Sequence, residues 1–249
     1  MPGASELEPI ARNFLQRAAA QGLVLRVCGG FAVWLRASDG RAIASRTART
    51  YSDLDFVAYS AQHRQLQAFL RAEGFVEDAA TATVPGLGRI IFANQKLNLH
   101  GDVFLDRLVF THTIDFLGRL ERDQATLPLA ELLLQKLQIG RFNEKDAVDV
   151  AMLVHDHAFT SDASGFETDR LKAVFGADWG LCQTCADNIA RTRDFIGQAY
   201  GGGDPVTRRV SAQLDALTAL MNATPKTLSW RLRALPGRLV NWRNAVDDL

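Results

Sequence analysis

Hydrophobic and polar positions follow two different periods along this chain, and the period changes near residue 120. Before that point, short apolar runs bounded by glycine or polar residues predict strands. Apolar positions spaced three and four apart predict helices between them, one starting at Ser5 and one near Ala61 to Glu73. The predicted strands are "LVLRVC", "FVEDAA", "RIIFAN" and "KLNLHGDVF", and a further helix covers "FAVWLRAS".

Beyond residue 120 the pattern is helical throughout. "LPLAELLLQKLQIG" and "NEKDAVDVAMLVHDH" each predict an amphipathic helix, and residues 160–249 predict more helix interrupted by the loops "YGGGDP" and "NATPKT". We therefore expect an α+β fold in which a mixed sheet flanked by helices, residues 1–120, is followed by a helical bundle, residues 121–249. Ser5 and Glu8 have the spacing of a capping box for the first helix.

Composition indicates where in the cell the protein is found but does not indicate which ligand it binds. The formal net charge is zero, so nothing global indicates a nucleic-acid or membrane partner. No apolar run approaches the ~20 residues of a membrane span, and the acidic start "MPGASELEPI" lacks an apolar signal core. The three cysteines are too few for a disulfide framework. We expect a cytoplasmic protein with reduced thiols and no membrane association.

The stretch "RTYSDLDFVAYS" places two aspartates at the start of an apolar run. Aspartate is depleted in strands, and a carboxylate near an apolar core is costly without a cation beside it. Because strand side chains alternate between faces, Asp53 and Asp55 should point to the same side. Two carboxylates held so close repel each other unless a divalent cation bridges them. This spacing predicts a metal site.

A strand, two glycines and a helix precede that aspartate pair. Gly29 and Gly30 follow "LVLRVC" directly, and "FAVWLRAS" continues as a helix. Glycines at a strand-to-helix turn let the backbone approach an anion, toward which the helix N–H groups point. A phosphate bound there, beside metal-binding carboxylates, would complete a site for phosphoryl transfer with one or two Mg²⁺ ions. Asp102, in "LNLHGDVF", is the best third carboxylate, with Asp106 as its substitute.

These residues resemble the polymerase-β-like nucleotidyltransferase superfamily, which has Gly-Gly, an aspartate-hydrophobic-aspartate strand and a third strand aspartate. Within it, "LLLQKLQIGRFNEKDAVDVAML" is similar to the Lys-Leu…Arg…Lys-Asp-x-x-Asp signature of the AbiEii/MenA type nucleotidyltransferases, toxins of bacterial type IV toxin–antitoxin and phage-defence systems. The resemblance covers roughly residues 25 to 155. One departure is the 22-residue spacing between Gly30 and Asp53, which indicates an inserted loop.

The resemblance implies an enzyme that transfers a nucleoside monophosphate from an NTP, such as ATP, to an acceptor hydroxyl, with RNA or tRNA as the candidate acceptor. Mg²⁺ would bind at Asp53, Asp55 and Asp102, and the NTP phosphates at Gly29 and Gly30. Lys136 falls on the family's helix lysine near the nucleotide, and Asp146 falls on its second helical motif. A cognate antitoxin is the implied protein partner.

The segment from Asp39 to Ser52 is expected to be a loop rich in arginine. Arg46 and Arg49 suit phosphate oxygens, since guanidinium forks stay charged and bind phosphate bidentately. They are therefore predicted to contact the NTP or the acceptor when the loop closes. The competing interpretation is a solubility loop without ligand contact.

Two other functions stay open at this point. The acceptor could be a small molecule, as in antibiotic-modifying relatives of the fold, or the chain could be a catalytically weak nucleotide-binding protein. Several motifs also have plain structural interpretations. Asp146 and Asp149 could form a surface pair with Lys145 and Arg141. Cys182 and Cys185 lack a second cysteine pair for zinc.

The run "PKTLSWRLRALPGRLVNWRN" interleaves basic and aromatic residues. Such a run can follow a nucleic-acid backbone and stack bases. A helical, solvated face with core tryptophans is the alternative.

Overall fold

The computed structural model describes residues 3–51, 53–77 and 88–244. It is a mixed α+β structure with one five-stranded mixed sheet. Within those ranges, no helix is long and apolar enough to cross a lipid bilayer. The α+β class is therefore confirmed, as are most of the helices and strands expected from the apolar pattern.

The chain is divided into two compact units that are each discontinuous in sequence. The first contains residues up to Arg36, Thr50–Val109 and Ile114–Pro128, and the second contains Ala37–Arg49, Phe110–Thr113 and the residues from Leu129 onward. The boundary expected at residue 120 lies inside the first unit. The segment between the paired glycines and the paired aspartates contributes a helix to the second unit.

The five-stranded sheet belongs to the first unit. Its strands lie in the order β1-β2-β5-β4-β3, with β2 and β5 parallel and the other neighbours antiparallel. Their bounds are β1 Leu25–Cys28, β2 Asp55–Ala58, β3 Val76–Glu77, β4 Arg89–Asn94 and β5 Leu99–Leu105. The predicted strand "FVEDAA" is described only at β3; its residues 78–80 lie outside the described ranges.

Three helices of the first unit precede or connect the first three strands in the chain. They are α1 Ala4–Ala20, α2 Gly29–Arg36 and α4 His63–Ala72. The buried face of α1 has the apolar spacing expected from the sequence, and its Phe14 ring lies 4.8–5.4 Å from the rings of Phe56, Phe69 and Phe75. Such aromatic contacts stabilise a small core beyond the area that they bury. The expected capping box is wrong, because α1 begins after Gly3, whose N–H donates to Glu6 Oε2 at 2.8 Å.

After β5 the chain forms two short strands, β6 Arg107–Val109 and β7 Thr113–Asp115, which make a two-stranded sheet. The second unit is mainly helical and contains a parallel pair of two-residue strands, β8 Phe159–Thr160 and β9 Phe166–Glu167. Its helices are α3 Arg41–Arg46, α5 Leu129–Leu137, α6 Glu144–Asp156, α7 Thr168–Ala177, α8 Trp179–Tyr200, α9 Pro205–Ala223 and α10 Leu228–Ala234. The helices expected at "LPLAELLLQKLQIG" and "NEKDAVDVAMLVHDH" are confirmed as α5 and α6. The expectation of a loop from Asp39 to Ser52 is wrong, because α3 lies within it.

Candidate active site

The register between β1 and β2 places the paired glycines beside the paired aspartates. Cys28, the last residue of β1, lies opposite Asp55, the first residue of β2. Gly29 follows with a φ of +72°, and a Cβ built on it would lie 2.7 Å from Asp55 Oδ2. Glycine is therefore required here for two reasons, the left-handed backbone and the close approach of a carboxylate. The turn ends in α2, whose first N–H groups have no intrahelical acceptor.

Parallel pairing of β2 with β5 brings Asp55 and Asp102 into contact. The backbone N–H of Asp102 donates to Asp55 Oδ1 at 3.2 Å. The N–H of Leu54 donates to the carbonyl of His100 at 3.1 Å. A Cβ on Gly101 would lie 2.0 Å from the Leu54 carbonyl oxygen, so the two backbones touch at this point. Two of the three carboxylates expected from the sequence are thus neighbours.

Asp53 lies just before β2 and not within it. It is exposed, whereas Leu54 is 3% exposed and Asp55 is half-buried. The substitute third carboxylate, Asp106, accepts the backbone N–H of Ser60 at 2.9 Å. This contact gives Asp106 a structural role at the end of β2.

Arg89 joins this group and was not predicted from the sequence. Its Nη2 lies 2.7 Å from Asp102 Oδ2, and its guanidinium lies 5.5 Å from the centroid of the Phe104 ring. Its Nε is buried and has no hydrogen-bond acceptor among the described residues. Arg89 lies opposite Phe104 and Asp102 opposite Ile91, so the two charges are diagonal neighbours on one face. The turn expected between "RIIFAN" and "KLNLHGDVF" makes these strands a hairpin, and the hairpin register is the feature of the sequence from which the Arg89–Asp102 pair could have been found.

The donors present have the chemistry that a magnesium ion requires. Mg²⁺ binds carboxylate oxygens and keeps several waters, and Asp53 and Asp55 supply such oxygens beside a glycine backbone that approaches closely. No group of three or more His, Cys, Asp and Glu side chains ready to hold a metal occurs within residues 3–51, 53–77 and 88–244. Asp102, the expected third ligand, is ion-paired to Arg89.

In the second unit, Lys136 and Arg49 both bind the carboxylate of Asp149. Lys136 Nζ lies 2.8 Å from Asp149 Oδ2. Arg49 binds both oxygens, Nε to Oδ1 and Nη2 to Oδ2, each at 3.1 Å. Asp149 is 0% exposed and Lys136 is 7% exposed. The interpretation of Asp149 as a surface residue is therefore wrong, and a buried cluster of one acid and two cations replaces it.

Asp146 begins the same helix as Asp149 but has a different local role. Its Oδ2 accepts the N–H of Asn143 at 3.1 Å, and Asn143 Oδ1 accepts the N–H of Lys145 at 2.9 Å, so Asp146 completes a capping box for α6. Burial raises the pKa of Asp146, although Lys136 and the Asn143 N–H oppose that shift. It too is nearly buried, at 8% exposure, so the surface interpretation is wrong for it as well.

Arg46 lies at the end of α3 and contacts the end of α8. Its guanidinium lies 4.3 Å from the centroid of the Tyr200 ring, and its Nη2 donates to the Ala199 carbonyl at 3.3 Å. The start of α3 is held by Asp156, whose carboxylate accepts the N–H groups of Ser38 and Gly40. The role predicted for Arg46 and Arg49 at the NTP stays a prediction.

The cysteines and the basic run take structural roles. Cys182 and Cys185 are buried thiols on α8, and burial raises the pKa of Cys185 well above its ordinary value. In the basic run, Arg238 binds Asp187 through both oxygens, and Trp242 Nε1 donates to Thr184 Oγ1 at 3.2 Å. These contacts favour a folded helical face over a free nucleic-acid track.

Neither a family model nor a curated protein sequence matches this chain.

Proposed function

We propose that the chain is a magnesium-dependent nucleotidyltransferase of the polymerase-β-like type, which transfers a nucleoside monophosphate from an NTP to an acceptor hydroxyl. The observation that carries the proposal is the contact of Gly29 with Asp55 and of Asp55 with the Asp102 backbone. A close-approach glycine opening a helix and two neighbouring strand carboxylates supply an anion site beside a cation site.

Each residue of the first unit has a separate task in this proposal. Gly29 and Gly30 present backbone N–H groups to the NTP phosphates at the start of α2, where the helix dipole favours negative charge. Asp53 and Asp55 are the residues that would hold Mg²⁺, which when bound neutralises charge on the triphosphate. Asp102 orients the attacking hydroxyl and takes its proton.

Arg89 refines the role of Asp102. The ion pair fixes the rotamer of the Asp102 carboxylate, because a guanidinium binds a carboxylate in a narrow range of orientations. The Arg89 side chain is 17% exposed, and its guanidinium would offer a further donor to a phosphate oxygen. Arg89 is thus proposed as a second positive group for the substrate phosphates.

The proposal extends to the AbiEii/MenA type by resemblance of the α5 and α6 sequences. That resemblance gives Lys136 the role of the family's helix lysine, and within the second unit Asp149 holds its ammonium group through the 2.8 Å ion pair. Asp146 then supports the start of α6 as a capping residue. A toxin–antitoxin or phage-defence role, with RNA or tRNA as acceptor and a cognate antitoxin as partner, follows from that resemblance.

The test is to incubate the protein with each α-labelled NTP, Mg²⁺ and total RNA, and to follow label into RNA on a denaturing gel. Label in RNA with one NTP, lost with EDTA and lost in Asp55→Asn, supports the proposal with an RNA acceptor. Label in a small molecule from a cell extract, with none in RNA, replaces the acceptor but keeps the reaction. Absence of transfer from all four NTPs, with both acceptor pools and with a protein shown to be folded, contradicts the enzymatic proposal.

A further inference from the structure

An exposed aliphatic surface lies at the carboxyl-terminal side of α9, on α10 and the turns that follow it. We name it the leucine patch. Its members are each more than half exposed: Leu228 72%, Leu232 56%, Leu235 80%, Leu239 94% and Val240 53%. None of the residues of α10 is buried. Five exposed aliphatic side chains within thirteen consecutive residues indicate an interaction site more strongly than isolated exposed leucines do.

The opposite side of the same segment is anchored to the second unit. The N–H of Thr227 donates to the Gly176 carbonyl at 2.9 Å. The Trp242 ring meets the Trp179 ring edge-on at 5.9 Å, and the Arg233 guanidinium lies 4.7 Å from the centroid of the Trp179 ring. The polar and aromatic side chains are thus used for folding, while the leucines face outward. The segment that carries the leucine patch is therefore fixed by contacts on its other side.

The spacing of the leucines fits a helical partner. Leu228 and Leu232 lie on α10, and Leu235 is the residue that ends it, so the three recur at intervals of four and three. Intervals of four and three are those by which one helix packs its ridge against another. Leu239, four residues further on, lies past the end of α10 and is 94% exposed.

The segment that carries the leucine patch has more cationic than acidic side chains. Residues 216–249 contain five cationic side chains, Lys226, Arg231, Arg233, Arg238 and Arg243, and two acidic ones, Asp247 and Asp248. One carboxylate of α8, Asp187, lies 2.6 Å from Arg238 and 3.5 Å from Arg243, so that single acid serves two guanidiniums. An excess of positive charge remains, and Arg231 is exposed next to Leu232.

We infer that the leucine patch is a docking surface for an amphipathic helix of a partner protein that carries acidic residues beside its apolar face. Aliphatic side chains would pack in the centre, and the exposed Arg231 would pair with a carboxylate at the rim. A second copy of this chain would bring two surfaces of like charge together. An anionic bilayer is disfavoured because Trp242, which would suit a membrane interface, points inward onto Trp179.

The test uses the full chain and a fluorescein-labelled helical peptide of about 20 residues, which spans about 30 Å. The peptide has leucines along one face and glutamates on either side of them. We expect saturable binding, measured by fluorescence anisotropy, that weakens about tenfold or more in a Leu232→Ser, Leu235→Ser variant. Arg231→Glu should weaken binding and reduce its salt dependence.

Two controls make the result specific. Leu117→Ser changes another leucine that is 57% exposed and should leave binding unchanged. A peptide with every glutamate replaced by lysine should not bind. Equal binding of both peptides, or no effect of the leucine substitutions, overturns the inference. Preferential binding to phosphatidylserine vesicles, or a dimer in sedimentation that Leu235→Ser dissociates, overturns it in favour of a membrane or a second copy.

Discussion

The carboxylates of the two units are held in different surroundings. In the second unit, Asp149 is fully buried and its oxygens bind Lys136 and Arg49. In the first, Asp53 is exposed, Asp55 is half-buried against a glycine, and Asp55 accepts the backbone N–H of Asp102. A buried acid with two cations is part of the fold, because its removal leaves unpaired charge. Acids that keep access to solvent beside one another are suited to bind a cation.

Removal of Asp149 tests the first half of this comparison and should have the largest effect. Asp149→Ala leaves Lys136 and Arg49 without their shared partner, which costs about 3–5 kcal/mol for a broken buried pair. Urea unfolding of the variant against the wild-type chain measures this loss. As a control, Asp146→Asn keeps an acceptor for the Asn143 N–H and should stay within about 1 kcal/mol of wild type. Equal losses of unfolding free energy in the two variants would contradict the structural role given to the Asp149 ion pairs.

Gly29→Ala tests the close approach in the first unit. The substitution meets both a φ of +72° and a contact of 2.7 Å with Asp55 Oδ2, so it should lower stability by about 1–3 kcal/mol and displace the carboxylate. Gly22→Ala is the matched control, since Gly22 has a φ of +75° but no atom within 4 Å of a built Cβ. The Gly22→Ala variant should lose only about 1 kcal/mol of stability, because backbone strain is its only cost. Thermal melts of both variants compare the two losses of stability. If Gly22→Ala lowers the melting temperature as much as Gly29→Ala does, the contact with Asp55 adds nothing to the cost at Gly29.

Many elements of both units could be predicted from apolar periodicity and turn residues. The helix α2, the strands β4 and β5, and the helices α5 and α6 all follow local patterns. Local sequence patterns could not predict side-chain contacts that depend on a residue from another segment. The Asp102–Arg89 pair depends on hairpin register across a turn, and the burial of Asp149 depends on Arg49, which is 100 residues away in the chain.

The segment from Asp39 to Ser52 shows the same limit. Its arginines and few apolar residues favoured a loop, yet Ile43 and Ala44 are buried on α3 and Asp156 holds its start. Two apolar residues are too few to make a periodic signal. The helix α3 is therefore stabilised by tertiary contacts, which the local sequence does not show.

A smaller effect concerns pH and the second unit. Burial lowers the pKa of His112, Asp178 opposes this shift and Arg243 adds to it. Its folded pKa therefore lies below the ordinary value of about 6.5, so the unfolded chain binds more protons and stability falls as pH drops below that value. Thermal melts between about pH 7.5 and pH 5.5 should show this fall as a decrease in melting temperature. His112→Asn should flatten the profile over this interval; an unchanged slope would assign the effect to other groups.

The central claim is that Asp53 and Asp55 form a metal–nucleotide site. The most direct measurement is calorimetric titration of Mg²⁺ with a non-hydrolysable NTP into wild type and Asp55→Asn, with a thermal melt of each protein free of metal. Asparagine keeps an acceptor for the Asp102 N–H but removes one of the two carboxylate charges that are proposed to bind the metal. The account predicts a loss of affinity of about thirtyfold or more, with a metal-free melting temperature that is unchanged or raised. Equal affinity in the two proteins would contradict it.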